Sequence, residues 1–141
     1  MTTSISNKKI AIIGGGAAGL MAADFLRHYP VQVSIYEAKP SVGRKFLLAG
    51  KGGMNITHSE EFASFVNRYG AEKDFLQPML EQFNNQAVRD WMQSLGFDSF
   101  VGSSGRVFPT DMKAAPLLRA WLHRLRESGV KICVRHRWLG W

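Results

Sequence analysis

The sequence predicts an α/β protein with a parallel sheet. Three observations carry that prediction: a β-branched run that ends in glycines, a helix-forming stretch directly after it, and two further strand-like runs set apart by helical periodicity. The first run, Lys8-Lys9-Ile10-Ala11-Ile12-Ile13, is apolar at consecutive positions from Ile10 on and reads as a strand buried on both faces. Ala17 to His28 is rich in Ala, Leu and Met, and Pro30 closes it. Val31 to Tyr36 then alternates as a second strand. Residues 8–38 therefore form one βαβ unit, whose crossover should be right-handed.

Ser41 to Asn55 has too much glycine and too little periodicity for a regular element, so residues 41–58 are expected to be a glycine-rich loop. Glu60 to Tyr69 and Met79 to Leu95 each place apolar residues at helical spacing, with Gly96 as a stop. Gly102 to Pro109 is turn-rich around Arg106-Val107-Phe108, and residues 60–110 together read as a helical insert. Asp111 is placed to cap a helix running through Leu125, which Ser128-Gly129 ends. Val130 to Val134 follows as a third strand, so residues 111–136 supply a helix and a strand. The abrupt finish at Trp141 leads to the expectation of an N-terminal piece of a longer protein.

Composition narrows the class. A chain of 141 residues that is 45% hydrophobic and 21% charged has enough apolar content to fold, which excludes a disordered chain. Cys133 is the single cysteine and has no intrachain disulfide partner; it reads as a small buried hydrophobe. His28, His58, His123 and His136 show no zinc-ligand spacing, and no metal is expected. Lys8-Lys9 and the uncharged stretch after them copy a secretory signal only superficially, because Gly14, Gly15, Gly16 and Gly19 interrupt the apolar run. No stretch of about 18 apolar residues spans a bilayer. A soluble protein of the reducing cytoplasm is expected.

The chemistry concentrates in Gly14-x-Gly16-x-x-Gly19, which stands directly after a predicted strand and opens a predicted helix. Gly14 permits the tight turn, Gly16 lets backbone approach a pyrophosphate, and Gly19 allows close helix–strand packing. The helix N-terminus adds free N–H groups and partial positive charge. Glu37 ends the second strand, where a carboxylate accepts both adenosine-ribose hydroxyls and repels a 2′-phosphate. The expected ligand is FAD or NAD rather than NADP. Gly43-Arg44-Lys45 and Gly50-Lys51-Gly52-Gly53 then offer backbone and cations to a second phosphate-contacting element, which favours an extended cofactor. This is no Walker A loop, since Gly52 stands where a magnesium-binding Ser or Thr belongs.

Ile12 to Leu20, Glu37, Gly43-Arg44-Lys45, Gly50 to His58 and Gly105-Arg106-Val107-Phe108-Pro109 together resemble the N-terminal part of the bacterial BaiN/HI0933-like flavoproteins, also labelled aminoacetone-oxidase-like, over nearly the whole chain. The resemblance implies a Rossmann-like FAD-binding fold of the glutathione-reductase type. On it, residues 1–141 are the N-terminal part of an FAD/NAD(P)-binding domain in an oxidoreductase that takes hydride from NAD(P)H or a small organic substrate. It also implies cofactor contacts: Gly14, Gly16, Ala17, Ala18 and Gly19 at the pyrophosphate, Glu37 and Ala38 at the ribose, Gly43, Arg44 and Lys45 at the phosphates or ribityl chain, and Gly50 and Asn55 toward the flavin. Most members read Gly-Gly-Arg-Cys-Asn in this loop, whereas this chain reads Gly50-Lys51-Gly52-Gly53-Met54-Asn55, so Met54 replaces the cysteine and any thiol role is absent here. Members are also longer, with a further Gly-Asp motif and a substrate domain. The same arrangement implies that the third strand lies beside the first. It brings backbone near Arg137-Trp138 to the adenine, with Trp138 as plain core the equal alternative.

No side chain stands out as catalytic, and His58, beside Ser59 and Glu60, reads more readily as structural. Two other functions are open to the residues. A NAD-dependent dehydrogenase shares the glycines and the carboxylate, although the long insert after the second strand argues against it. A basic nucleic-acid module would draw on the net charge of +7, on Lys113, Arg119, Arg124, Arg126, Lys131, Arg135 and Arg137 against the lone acid Glu127, and on Trp121, Trp138 and Trp141 as stacking faces. The simpler reading makes those cations the solvated side of an amphipathic helix whose Leu117, Leu118, Trp121, Leu122 and Leu125 face the core. Neither nucleic acid nor membrane is expected as a partner.

Overall fold

The computed structural model describes residues 8–141. In chain order it holds β1 (Lys9–Ile13), α1 (Ala17–Leu26), β2 (Gln32–Glu37), α2 (Arg44–Ala49), β3 (Thr57–His58) and α3 (Phe62–Asn67). A 3-10 turn (Gly70–Glu72) leads into α4 (Lys73–Gln82), α5 (Asn85–Ser94), β4 (Ser99–Val101), β5 (Arg106–Pro109), α6 (Ala114–Glu127) and β6 (Lys131–Val134). The chain divides into two compact units, one taking residues up to Leu48 and from Leu118 onward, the other Ala49–Leu117.

The first unit is a parallel α/β layer. β1 pairs with β2 from Lys9↔Gln32 to Ile13↔Tyr36, and β2 pairs with β6 from Ser34↔Lys131 to Glu37↔Val134. The order is thus β1-β2-β6. This corrects the expectation that the third strand lies beside the first. The reason is the handedness of the crossovers. Asp24 of α1 bonds Trp121 and Arg124 of α6, so both helices lie on the face that buries Val33 and Ile35. Two right-handed crossovers with helices on one face step across the sheet in the same direction, which carries β6 past β2 rather than back to β1.

The opposite face stays open: Lys9, Ala11 and Ile13 are exposed, and Ser34, Tyr36 and Cys133 are only partly covered. β1 is therefore covered on one side, not on both as its uninterrupted apolar run suggested, and Cys133 is half-buried rather than core. Leu20, Ala23, Leu118, Trp121 and Leu125 fill the closed side. α2 is a helix where a loop was expected. Arg44, Lys45, Leu47, Leu48 and Ala49 are good helix formers, and Phe46 is buried with its ring 5.9 Å from that of Trp121.

The second unit holds an antiparallel sheet, β3-β5-β4, inside the span that the sequence presented as a loop and a helical insert. Thr57 faces Val107, and Ser99, Phe100 and Val101 face Pro109, Phe108 and Val107. Val66, Met92 and Val107 are buried there. The expected helix from Met79 to Leu95 is two helices. Asn84 breaks it by accepting the Ala87 N–H at 2.8 Å as the N-cap of α5. Asn85 then anchors α5 through Nδ2, which donates to the carbonyls of His58 and Glu60, each at 2.8 Å.

Asp24 is 5% exposed, and its Oδ2 accepts from the Trp121 indole at 2.9 Å and the Arg124 guanidinium at 2.5 Å. Its Oδ1 accepts from Arg27 at 2.6 Å. Removing the carboxylate strands buried donors, so Asp24→Ala is expected to lower unfolding stability by about 3 kcal/mol in a urea titration. Asp24→Asn keeps an acceptor for the indole and should cost less.

Candidate functional site

The glycine turn follows β1. Gly14 takes φ +104, closed to most side chains, and donates its N–H to the Tyr36 carbonyl at 2.8 Å. Gly16 is extended and is the N-cap of α1, which has neither a side-chain cap nor an acid in its first turn. The first N–H groups of α1 therefore keep their hydrogen-bonding capacity for a ligand. A Cβ built on Gly16 meets nothing within 4 Å, whereas one on Gly19 would collide with the Gly14 carbonyl. The first and third motif glycines thus shape and close the turn, while the second leaves space in front of it.

Glu37 ends β2 and faces this turn. Its Oε2 accepts the Gly15 N–H and its Oε1 the Lys39 N–H, each at 2.8 Å. These bonds stabilise the charged form, the Lys39 amide most and the Gly15 amide next, and hold the carboxyl below its ordinary value of 4.5 against the opposing effect of burial. The Gly15 carbonyl accepts the Gly43 N–H at 2.7 Å, which draws the start of α2 to the turn. Gly43 has φ +69, and a Cβ there would lie 2.6 Å from Leu118, so only glycine permits this approach.

A cavity of about 430 Å³ opens in front, lined by Gly15, Gly16, Glu37, Lys39, Arg44 and Lys45 among others. Its lining holds a fixed carboxylate and three cations, Lys39, Arg44 and Lys45. Such a site suits a ligand that carries both hydroxyls and phosphates. Arg44 is held by a 2.9 Å bond from Nη1 to the Ser41 hydroxyl.

The structure brings Gly14, Gly16, Ala17, Ala18, Gly19, Glu37, Ala38, Gly43, Arg44 and Lys45 into one unit. Gly50 and Asn55 lie in the second. Asn55 commits its Nδ2 to the carbonyls of Thr57 at 2.8 Å and Val107 at 3.2 Å. A Cβ on Gly50 would run into the Ala114 methyl. Met54 is buried. His58 accepts the Glu60 N–H at Nδ1, 3.1 Å, which leaves its Nε2–H for the Ser104 carbonyl, also at 3.1 Å. Both ring nitrogens thus hold main chain.

Sequence reasoning missed Lys39 and Gly15. Lys39 supplies an amide to Glu37 and a cation to the cavity; Gly15 occupies an unspecified position of the motif. Trp138 is 51% exposed, which excludes it from the core. Trp121 is buried and cannot serve as a stacking face, while Arg119, His123 and Arg126 lie on the solvent side of α6. Among the described residues no group of three or more His, Cys, Asp or Glu is placed to hold a metal, and no helix is long and apolar enough to cross a membrane.

A family model described as the HI0933-like protein Rossmann domain matches residues 8–141. The chain is 35% identical over 127 residues to the 3-dehydro-bile acid delta(4,6)-reductase of Clostridium scindens, covering 88% of this chain and 30% of that protein. It is 26% identical over 124 residues to the ribosomal RNA dihydrouridine synthase of Haemophilus influenzae, again 88% of this chain and 30% of the relative. The chain therefore spans under a third of these relatives' length. Among solved structures it resembles Thermovibrio ammonificans THI4 with a TM-score of 0.56 at 18% identity, over 91% of this chain and 38% of that one, a likeness of fold.

Because the folded state lowers the Glu37 pKa, the carboxylate adds stability above the unfolded value of 4.5, and that contribution is lost as pH falls through the lower folded value. Urea unfolding of the wild type and Glu37→Gln across pH is expected to favour the wild type above the unfolded carboxyl value of 4.5, an advantage lost progressively as the pH falls below it. A gap independent of pH would contradict the assignment.

Proposed function

The chain belongs to the HI0933-like Rossmann-domain family, and from that premise we propose that it is the FAD-binding part of a flavin-dependent oxidoreductase. The observation that carries the proposal is the turn itself: Gly16 opens onto a cavity bounded by the α1 N-terminus, the fixed Glu37 carboxylate and the Arg44-Lys45 pair. Residues suited to the cofactor are present. When bound, the flavin supplies hydride transfer, from NAD(P)H or a small organic substrate. Gly14, Gly16 and the N–H groups of Ala17, Ala18 and Gly19 hold the pyrophosphate without a Cβ in the way. Glu37, with Ala38 beside it, receives the ribose hydroxyls. Gly43, Arg44 and Lys45 offset phosphate charge. From the family pattern, Gly50 and Asn55 are proposed for the flavin end; Asn55 would offer Oδ1, since its amide nitrogen is engaged.

The relatives support an enzyme of this kind, one being named a reductase. One is named for a bile acid and the other for ribosomal RNA, yet both share this segment. A segment that binds a common cofactor is what such different substrates would have in common. A bacterial, cytoplasmic setting accords with the relatives' sources and the single cysteine.

The test is an absorbance spectrum of the purified protein and a titration with FAD and with NAD, for wild type and Gly16→Ala. Gly16 has ordinary φ, and its Cβ would meet only open space. The substitution should leave thermal stability unchanged while weakening FAD binding by about tenfold or more. Tight NAD binding without flavin would replace the proposal with the dehydrogenase reading, and equal FAD affinity in both proteins would remove Gly16 from the site.

A further inference from the structure

We infer that Glu37 acts on the phosphate end of the cradle as well as at the ribose, as a positioning residue that fixes the Gly15 peptide and through it the turn leading into α1. The inference rests on the dinucleotide reading and adds a role that reading does not assign.

Both polar groups of Gly15 are committed to protein. Its N–H goes to Glu37 Oε2 at 2.8 Å, and its carbonyl receives the Gly43 N–H at 2.7 Å. A Cβ on Gly15 would strike the Val42 side chain, so the peptide is pressed against the segment entering α2. The next residue is Gly16, whose direction decides where the first N–H groups of α1 point. Rotation of the Gly15 peptide would therefore turn the phosphate-facing donors.

The carboxylate is itself held from the far side. Lys39 donates its N–H to Oε1 at 2.8 Å, His136 donates to the Glu37 carbonyl at 2.9 Å, and Arg135 donates to the Lys39 carbonyl at 3.0 Å. Arg135 does so at φ +59, a conformation that non-glycine residues adopt only when the surroundings enforce it. A chain of contacts thus runs from the exit of β6, through the end of β2 and the carboxylate, to the glycine turn.

Two amide donors on two oxygens of one carboxylate make a geometry that a carboxamide cannot copy. Glutamine has one acceptor oxygen, and its NH₂ would face the second N–H donor. Glu37→Gln therefore releases or repels one of the two amides while keeping the side chain's size.

The test separates the two roles by removing the ribose hydroxyls from the ligand. Affinities of ADP and 2′,3′-dideoxy-ADP are measured by calorimetry on wild type and Glu37→Gln. If the carboxylate also positions the turn, the substitution weakens dideoxy-ADP by about tenfold, the size expected from one charge-assisted hydrogen bond. If it serves the hydroxyls alone, dideoxy-ADP binds both proteins equally, and the inference is overturned while the cradle stands. Failure of the wild type to bind either nucleotide overturns the cradle reading and this inference together. A second measurement needs no variant: in the ligand-free wild type, the Gly15 and Lys39 amide resonances should titrate together with the Glu37 carboxyl. Amides that ignore that titration overturn the inference.

Discussion

The buried carboxylate of Asp24 sets the frame on which the rest of the first unit depends. It receives the Trp121 indole and two guanidinium groups, and so ties α1 to α6 across the covered face of the sheet. Burying a charge is costly unless its partners satisfy both oxygens, and here they do. With the two helices side by side, right-handed crossovers leave β6 one position for pairing, next to β2. That position delivers the His136 and Arg135 N–H groups to the end of β2 and just beyond it, at the carbonyls of Glu37 and Lys39. The cradle's geometry thus depends on a contact made further along α1, away from the glycine turn.

The cradle joins features that oppose each other in isolation. A carboxylate beside a phosphate site repels its ligand, and three cations beside a carboxylate would pull it out of place. Here the carboxylate is held by amides rather than by the cations. Lys39 and Gly15 bind it through main chain, which leaves the ammonium and guanidinium groups facing the cavity. Amide donors also keep Glu37 ionised under ordinary conditions, so it can accept from hydroxyls without first losing a proton.

Much of this was legible in the residues. The β-branched run, the glycine spacing and the carboxylate after the second strand located β1, α1, β2 and the turn, because each follows from local sterics and period. What escaped depended on partners distant in sequence. α2 lay hidden among glycines, and its helix is secured by Phe46 packing on Trp121. β3, β4 and β5 are two to four residues long, too short for alternation to register. The break between α4 and α5 was in view as Asn84, but the continuous apolar spacing across it read as one helix. Gly15 escaped for another reason: the motif leaves its position unspecified, and only the approach of Val42 and the Glu37 bond show what glycine does there.

The net charge of +7 gains meaning when individual cations are traced to their surroundings. Arg124, counted in a basic C-terminal cluster, bonds the buried Asp24 and is a structural group. Arg119 and Arg126 occupy the wet side of α6, opposite Leu118, Trp121 and Leu125, as an amphipathic helix requires. Arg44 and Lys45, which the sequence offered as a phosphate-contacting pair, and Lys39, which it did not, converge on one cavity. An excess of positive charge summed along the chain suggests an extended anionic partner. Resolved in space, part of it separates into a structural ion cluster, a solvated helix face and a compact set of cations lining one cavity, and only the last stands beside the uncapped N-terminus of α1.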